Sequence, residues 1–94
     1  MSNAADVLQQ MADTFRERNA VYGDNYKRVA PIMAVLFPEG APPELLHHDA
    51  FHLFELLIVK ISRFAISGMT HMDSIHDAAV YAAMIEAILQ EQQQ

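Results

Sequence analysis

Residues 48–67, HDAFHLFELLIVKISRFAIS, and residues 70–89, THMDSIHDAAVYAAMIEAIL, decide the fold, and only Gly68 and Met69 separate them. At 100° per residue, Ala50, Phe54, Leu57, Ile58, Ile61 and Ala65 share one face of a helix running from about His48 to Ser67. The opposite arc carries His48, His52, Glu55, Ser62 and Arg63, with Asp49 and Lys60 on its flank. Leu56 and Val59 fall inside that polar arc, so this helix is apolar on more than one side. Gly68 stops it, and Thr70-x-x-Asp73 reads as a variant capping box opening the next helix. There, Ile75, Ala78, Ala82, Ile85 and Leu89 form the core stripe, and Asp73, Asp77, Tyr81 and Met84 form a second stripe at i, i+4 spacing. A connection this short makes the two helices an antiparallel hairpin.

Upstream the period stays helical. Leu8, Met11, Ala12 and Phe15 give one apolar face, Ser2 or Asn3 can cap it, and Gly23 stops it. Asp24 opens a second helix whose apolar face is Val29, Ile32, Met33, Leu36 and Phe37, with Pro31 either kinking it or marking its first turn. Pro38 to Pro43 holds three prolines and a glycine and reads as a loop. The pattern contains no alternating strand. The expectation is one all-α domain over residues 1–94, a four-helix, bundle-like fold with a C-terminal antiparallel hairpin.

Composition narrows the partners. Hydrophobic residues make up 52% of the 94 and charged residues 19%. That much apolar surface in so short a chain implies burial against further copies, and Phe51, Leu53, Leu56 and Val59, flanking the main stripe, are the expected contact in a homo-oligomer. Twelve acidic residues against six basic ones give a net charge of −6, which disfavours nucleic acid as a partner, because phosphate binding needs a surplus of Lys and Arg. The absence of cysteine excludes disulfides, thiolate metal sites and a Cys nucleophile. No apolar run approaches the roughly twenty residues of a membrane span, and the first residues lack the basic start of a signal peptide. The expected location is therefore cytoplasmic, with no membrane partner.

Three groups of residues could carry chemistry. Arg16 to Arg28, RERNAVYGDNYKR, holds four of the six basic residues at the joint of the first two helices. Its cations suit phosphate and its tyrosines suit base stacking, while a solvated turn pairing with Asp13, Glu17 and Asp24 is the plainer outcome. Lys60 and Arg63 stand level with Asp73 and Asp77 across the hairpin. Either they staple it, or the cations hold phosphate while the carboxylates take Mg²⁺ or a ribose hydroxyl. Among the five histidines, His47, His48, His52, His71 and His76, only His48 and His52 have a chelating i, i+4 spacing. The run H-D-A-F-H lacks the Glu of a zinc protease helix, so these two are expected at a helix start or a subunit contact.

Three blocks in order, R-x-x-x-Y-G-D from Arg18, K-I-S-R-F from Lys60 and D-S-I-H-D-A-A-V-Y-A-A from Asp73, resemble a family of small phage and prophage all-α proteins over roughly residues 14–89. In that family the last block usually reads D-x-x-x-D-x-x-G-Y, and here Val80 replaces the Gly. The family is distantly similar to MazG-type nucleoside triphosphate pyrophosphohydrolases, which hold Mg²⁺ on four acidic residues of two antiparallel helices. The resemblance implies a location in the host cytoplasm. It also implies, as an alternative, a Mg²⁺-dependent hydrolase with Asp73, Asp77 and Glu55 as ligands. Hairpin arithmetic opposes that set within one chain: Glu55 lies about 20 Å before the turn at 1.5 Å per residue, and Asp73 and Asp77 lie much closer to it on the other side.

The leading expectation is a binder that sequesters a nucleotide-type small molecule, such as a host nucleotide immune signal, in an oligomer pocket without catalysis and without a cofactor. Its site would combine Arg16, Arg18, Tyr22, Asn25, Tyr26, Lys27 and Arg28 with Lys60, Arg63, Asp73, Asp77 and Tyr81. Inhibition of a host protein through an apolar helix face is the third reading.

Overall fold

The computed structural model describes residues 3–46 and 48–93; Ser2 and His47, considered above, lie outside them. The described residues form four α-helices, α1 (Ala4–Tyr22), α2 (Val29–Leu36), α3 (Asp49–Ile66) and α4 (Met72–Gln92), with single 3-10 turns at Asn25–Lys27 and Pro43–Leu45 and no strand. Among them no helix is long and apolar enough to cross a membrane.

Local chemistry sets the helix ends. Asn3 caps α1 by accepting the Asp6 N–H at 2.9 Å, and the Asp6 carboxylate accepts the Asn3 N–H at 3.5 Å. α1 ends where Gly23 takes φ 59° and ψ −149°, a conformation closed to side-chain-bearing residues without strain. Pro31 sits in the first turn of the short α2, where its missing N–H costs nothing. His48 caps α3: its Nδ1 accepts the Ala50 N–H at 3.1 Å, and its Nε2 lies 2.6 Å from the side-chain amide nitrogen of Gln92.

The turn between α3 and α4 differs from the expected capping box. Ser67 organises it, its Oγ accepting from the N–H groups of Thr70 at 3.2 Å and His71 at 3.0 Å. The Thr70 hydroxyl donates to the Ser67 carbonyl at 2.8 Å, and His71, one residue later than expected, stands at the N-cap of α4 with no side-chain cap. The loop expected to end at Pro43 likewise gives way there to a 3-10 turn.

α3 and α4 pack most extensively, antiparallel, with His48–Gln92 at one end and the Lys60–Asp77 ion pair at 2.8 Å nearer the turn. α2 and the Asn25–Lys27 turn rest on α3, where Phe37 meets Phe51 and Phe54 edge-on at 5.6 and 6.1 Å. The expected core stripes pack only in part: Ile58 and Ala78, which belong to them, are buried, and Ala50, Phe54, Leu57 and Ile85 are half-buried. The fully buried positions of the hairpin are Ile58 and Ser62 on α3 and Ser74 and Ala78 on α4, while Ile61, Ala65, Ile75, Ala82 and Leu89 are exposed. Small residues let helix axes approach closely, so packing adds Ser62 and Ser74 to the buried set and leaves part of the larger apolar stripe outside. Phe51, Leu53, Leu56 and Val59, expected as the exposed contact, are half-buried within the chain.

α1 does not lie along the hairpin as a fourth bundle member. It joins the rest near its C-terminal end, where Phe15 meets Tyr26 edge-on at 5.9 Å and Gly23 lies against Ile66. The shape is consequently long, 53 × 31 × 27 Å, with a radius of gyration of 16.7 Å. A compact chain of this length has a radius of about 12 Å.

Candidate ligand-binding site

The end of α1, the 3-10 turn and the last turns of α3 enclose a pocket of about 470 Å³. Its position follows from the turn at Gly23, which folds the chain back so that Asn25 and Tyr26 face α3 beside the preceding helix. Arg18 on α1, Asn25 and Tyr26 on the turn, and Arg63 on α3 line it, with Phe15, Val29 and Val59 as apolar walls. Asn25 is 7% exposed; its Nδ2 donates to the Val59 carbonyl at 3.5 Å, and its Oδ1 is buried with no hydrogen-bond partner among the described residues. Unpaired buried acceptors are costly, and in native proteins they concentrate where something else supplies the donor. Arg63 is half-buried and Arg18 exposed, so one cation lies deeper and the other nearer the mouth. Two cations, an amide and an aromatic edge around one concavity suit a small anionic molecule that also has hydrogen-bonding and flat apolar parts.

The other residues expected at the site stand elsewhere. Arg16 pairs with Asp13 on the outer face of α1 at 3.2 Å. Lys27 pairs with Asp24 at 3.2 Å and lies over the Tyr26 ring, 5.6 Å from its centroid; the hydrogen bond and charge of Asp24 hold its ammonium pKa above the ordinary value. Arg28 is exposed at the start of α2, and the Tyr22 side chain lies outside what the structure describes. Lys60 and Asp77 form the hairpin staple rather than a pocket wall, and the hydrogen bond from Lys60, with its charge and those of His76 and Arg63, holds the Asp77 carboxyl below the usual range. Asp73 is exposed in the first turn of α4, and Tyr81 is half-buried one turn beyond Asp77.

Glu55 is exposed and borders a second, wider groove of about 660 Å³ between α2 and α3, lined by Tyr26, Val29, Met33, Phe37 and Phe51. It is therefore separated from the Asp77 staple, and among the described residues no three His, Asp or Glu side chains are grouped to hold a metal ion. The residues of one chain do not fit the Mg²⁺ set of Asp73, Asp77 and Glu55. His48, committed to its cap and to Gln92, is not placed to chelate with His52.

Sequence reasoning missed the apolar walls. Phe15 reads as a core residue of α1, yet it is half exposed beside Tyr26, and its place three residues before Arg18 on one helix face was the available signal. Val59 reads as a residue misplaced on a polar arc, which is how a pocket wall beside Arg63 appears in a helical projection. No protein-family model, curated protein or solved structure matches the chain.

Proposed function

We propose that this chain, as a homo-oligomer, binds a nucleotide-type small molecule in the Arg18–Arg63 pocket and sequesters it without catalysis. The observation that carries the reading is the convergence of Arg18, Asn25, Tyr26 and Arg63, four residues of the expected site from three separate elements, on one pocket. Arg63 and Arg18 hold phosphate, the exposed part of Tyr26 offers a surface for a base, and Asn25 exchanges hydrogen bonds with the sugar or base. Among the described residues that line the pocket there is no carboxylate or histidine to serve as a general base, which suits a binder better than an enzyme. The phage-type sequence resemblance makes a host nucleotide signal the natural occupant.

The test is incubation with a panel of linear and cyclic nucleotides, with and without Mg²⁺, followed by filtration and chromatography of the filtrate and of the heated protein. Depletion of a nucleotide that heat then releases intact supports the proposal. Conversion of a triphosphate to a monophosphate that depends on Mg²⁺ defeats it in favour of the hydrolase. Arg63→Ala is expected to weaken binding about tenfold or more, the worth of one charge-assisted hydrogen bond.

A further inference from the structure

α1 is nineteen residues long, yet its large apolar side chains are bare: Leu8 is 65% exposed, Met11 61% and Phe15 51%. A single helix of this length is marginal in water, however well capped, and in proteins its stability comes from covering an apolar face. The whole chain exposes 7091 Å². A folded monomer of this mass exposes about 5,500 Å², an excess of roughly 1,600 Å². A stable interface removes about 800 Å² from each partner, so the excess accommodates one such contact and more.

We infer that the missing cover is α1 of a second copy, packed antiparallel on the same stripe about a two-fold axis near Met11. Leu8, Met11 and Phe15 follow the i, i+3, i+7 spacing of a two-helix seam, and a surface that is apolar in itself pairs most simply with its own copy. The antiparallel sense also keeps the acidic first turns of the two helices apart. The first turn of α1 carries Asp6, which in this sense lies level with Arg16 and Arg18 of the other helix, although Asp13 and Glu17 balance those cations and Arg16 is already paired with Asp13. In this register, Leu8 of the second copy lies level with Phe15, which is both part of the stripe and a wall of the pocket. Resting on the ligand reading above, the assembly therefore completes that wall, and a chain that cannot pair loses the ligand as well.

The chain has no cysteine, so Met11→Cys introduces a single thiol. A short bis-maleimide is expected to convert this variant to a covalent dimer, while Gln10→Cys, on the polar face one residue away, stays uncrosslinked. Light scattering on Leu8→Glu combined with Met11→Glu is expected to give a smaller assembly than the native chain, with hairpin helicity kept. A native chain that runs as a 10.6 kDa monomer at micromolar concentration overturns the inference and leaves the stripe to a different protein. Equal crosslinking at both cysteines, or an unchanged mass for the double Glu variant, overturns it too. If the assembly behaves as expected but no nucleotide from the panel is retained, the ligand reading fails and the interface stands. If the smaller double Glu variant keeps native nucleotide affinity, the link between pairing and pocket fails.

Discussion

The two ends of this molecule are built on opposite terms. In the α3–α4 hairpin, contacts join residues far apart in sequence: Lys60 to Asp77, His48 to Gln92, and small buried side chains from both helices. In the α1 arm the polar contacts are short-range, Asn3 with Asp6, Asp13 with Arg16 and Asp24 with Lys27, while the large apolar side chains face outward. The hairpin is held by its own long-range contacts, although Ile61, Ile75, Met84 and Leu89 stay exposed on it. The arm has local order without a core, and the pocket lies where the two regions meet. Long-range contacts supply the scaffold, and the locally ordered arm supplies surface where something else can bind.

Overfilling the hairpin is expected to have the largest effect. Ala78 is 3% exposed, and Ala78→Leu forces added methylenes between the helices, costing about 3 kcal/mol and lowering the thermal midpoint of the whole chain. A midpoint within a degree of the native one would mean that the hairpin is as loose as the arm. At the junction, Gly23→Ala is expected to cost about 2 kcal/mol through backbone strain alone, since the added Cβ would meet Ile66 at 3.5 Å, an ordinary contact. Nucleotide retention should fall with it, because this turn sets Asn25 and Tyr26 against α3. A lowered midpoint with retention intact would separate the pocket from the turn.

The hairpin was legible in the sequence because its signals are local: Gly68 stops one helix, the apolar period resumes at once, and the charge of Lys60 is complemented one helix away at Asp77. Which part of each stripe packs was only half legible: Ile58 and Ala78 read as core and are buried, while Ile61, Ile75 and Leu89 read the same way and are exposed. Burial patterns report hydrophobicity, whereas Ser62 and Ser74 are buried because they are small, and neither serine carries an apolar signal. The pocket was half legible. Arg18, Asn25, Tyr26 and Arg63 stood out by residue type, but Arg16 and Lys27 looked the same in sequence and were drawn away by carboxylates three residues off. A linear reading ranks cations by kind, and the fold sorts them by which way the helix turns.

Met69 offers a gentler probe of the hairpin, since it holds φ 64° just after Gly68 with an exposed side chain. Left-handed backbone costs a side-chain-bearing residue about 1 kcal/mol, so Met69→Gly is expected to leave stability unchanged or raise it slightly, the relief being partly offset by a more flexible unfolded chain. A clear loss on denaturant unfolding would show that the Met69 side chain is covered in solution, which would extend the assembly from the arm to the hairpin.

The smallest effect is expected at the staple, and its sign with pH identifies it. Asp77 is held below the ordinary carboxyl range by the hydrogen bond and charge of Lys60, so the folded state binds that proton less tightly than the unfolded state. The resulting stabilisation is fully present above the unfolded value, about 3.9 for an aspartate, and is lost as pH falls through the lower folded value. Lys60→Met should therefore lower the midpoint slightly at neutral pH and converge with the native chain in acid. Both ends of the pair are partly exposed, so salt should narrow the difference further. Should the difference instead persist in acid, Lys60 would be acting through its packed methylene stem rather than its charge, and the hairpin would owe nothing to the ion pair.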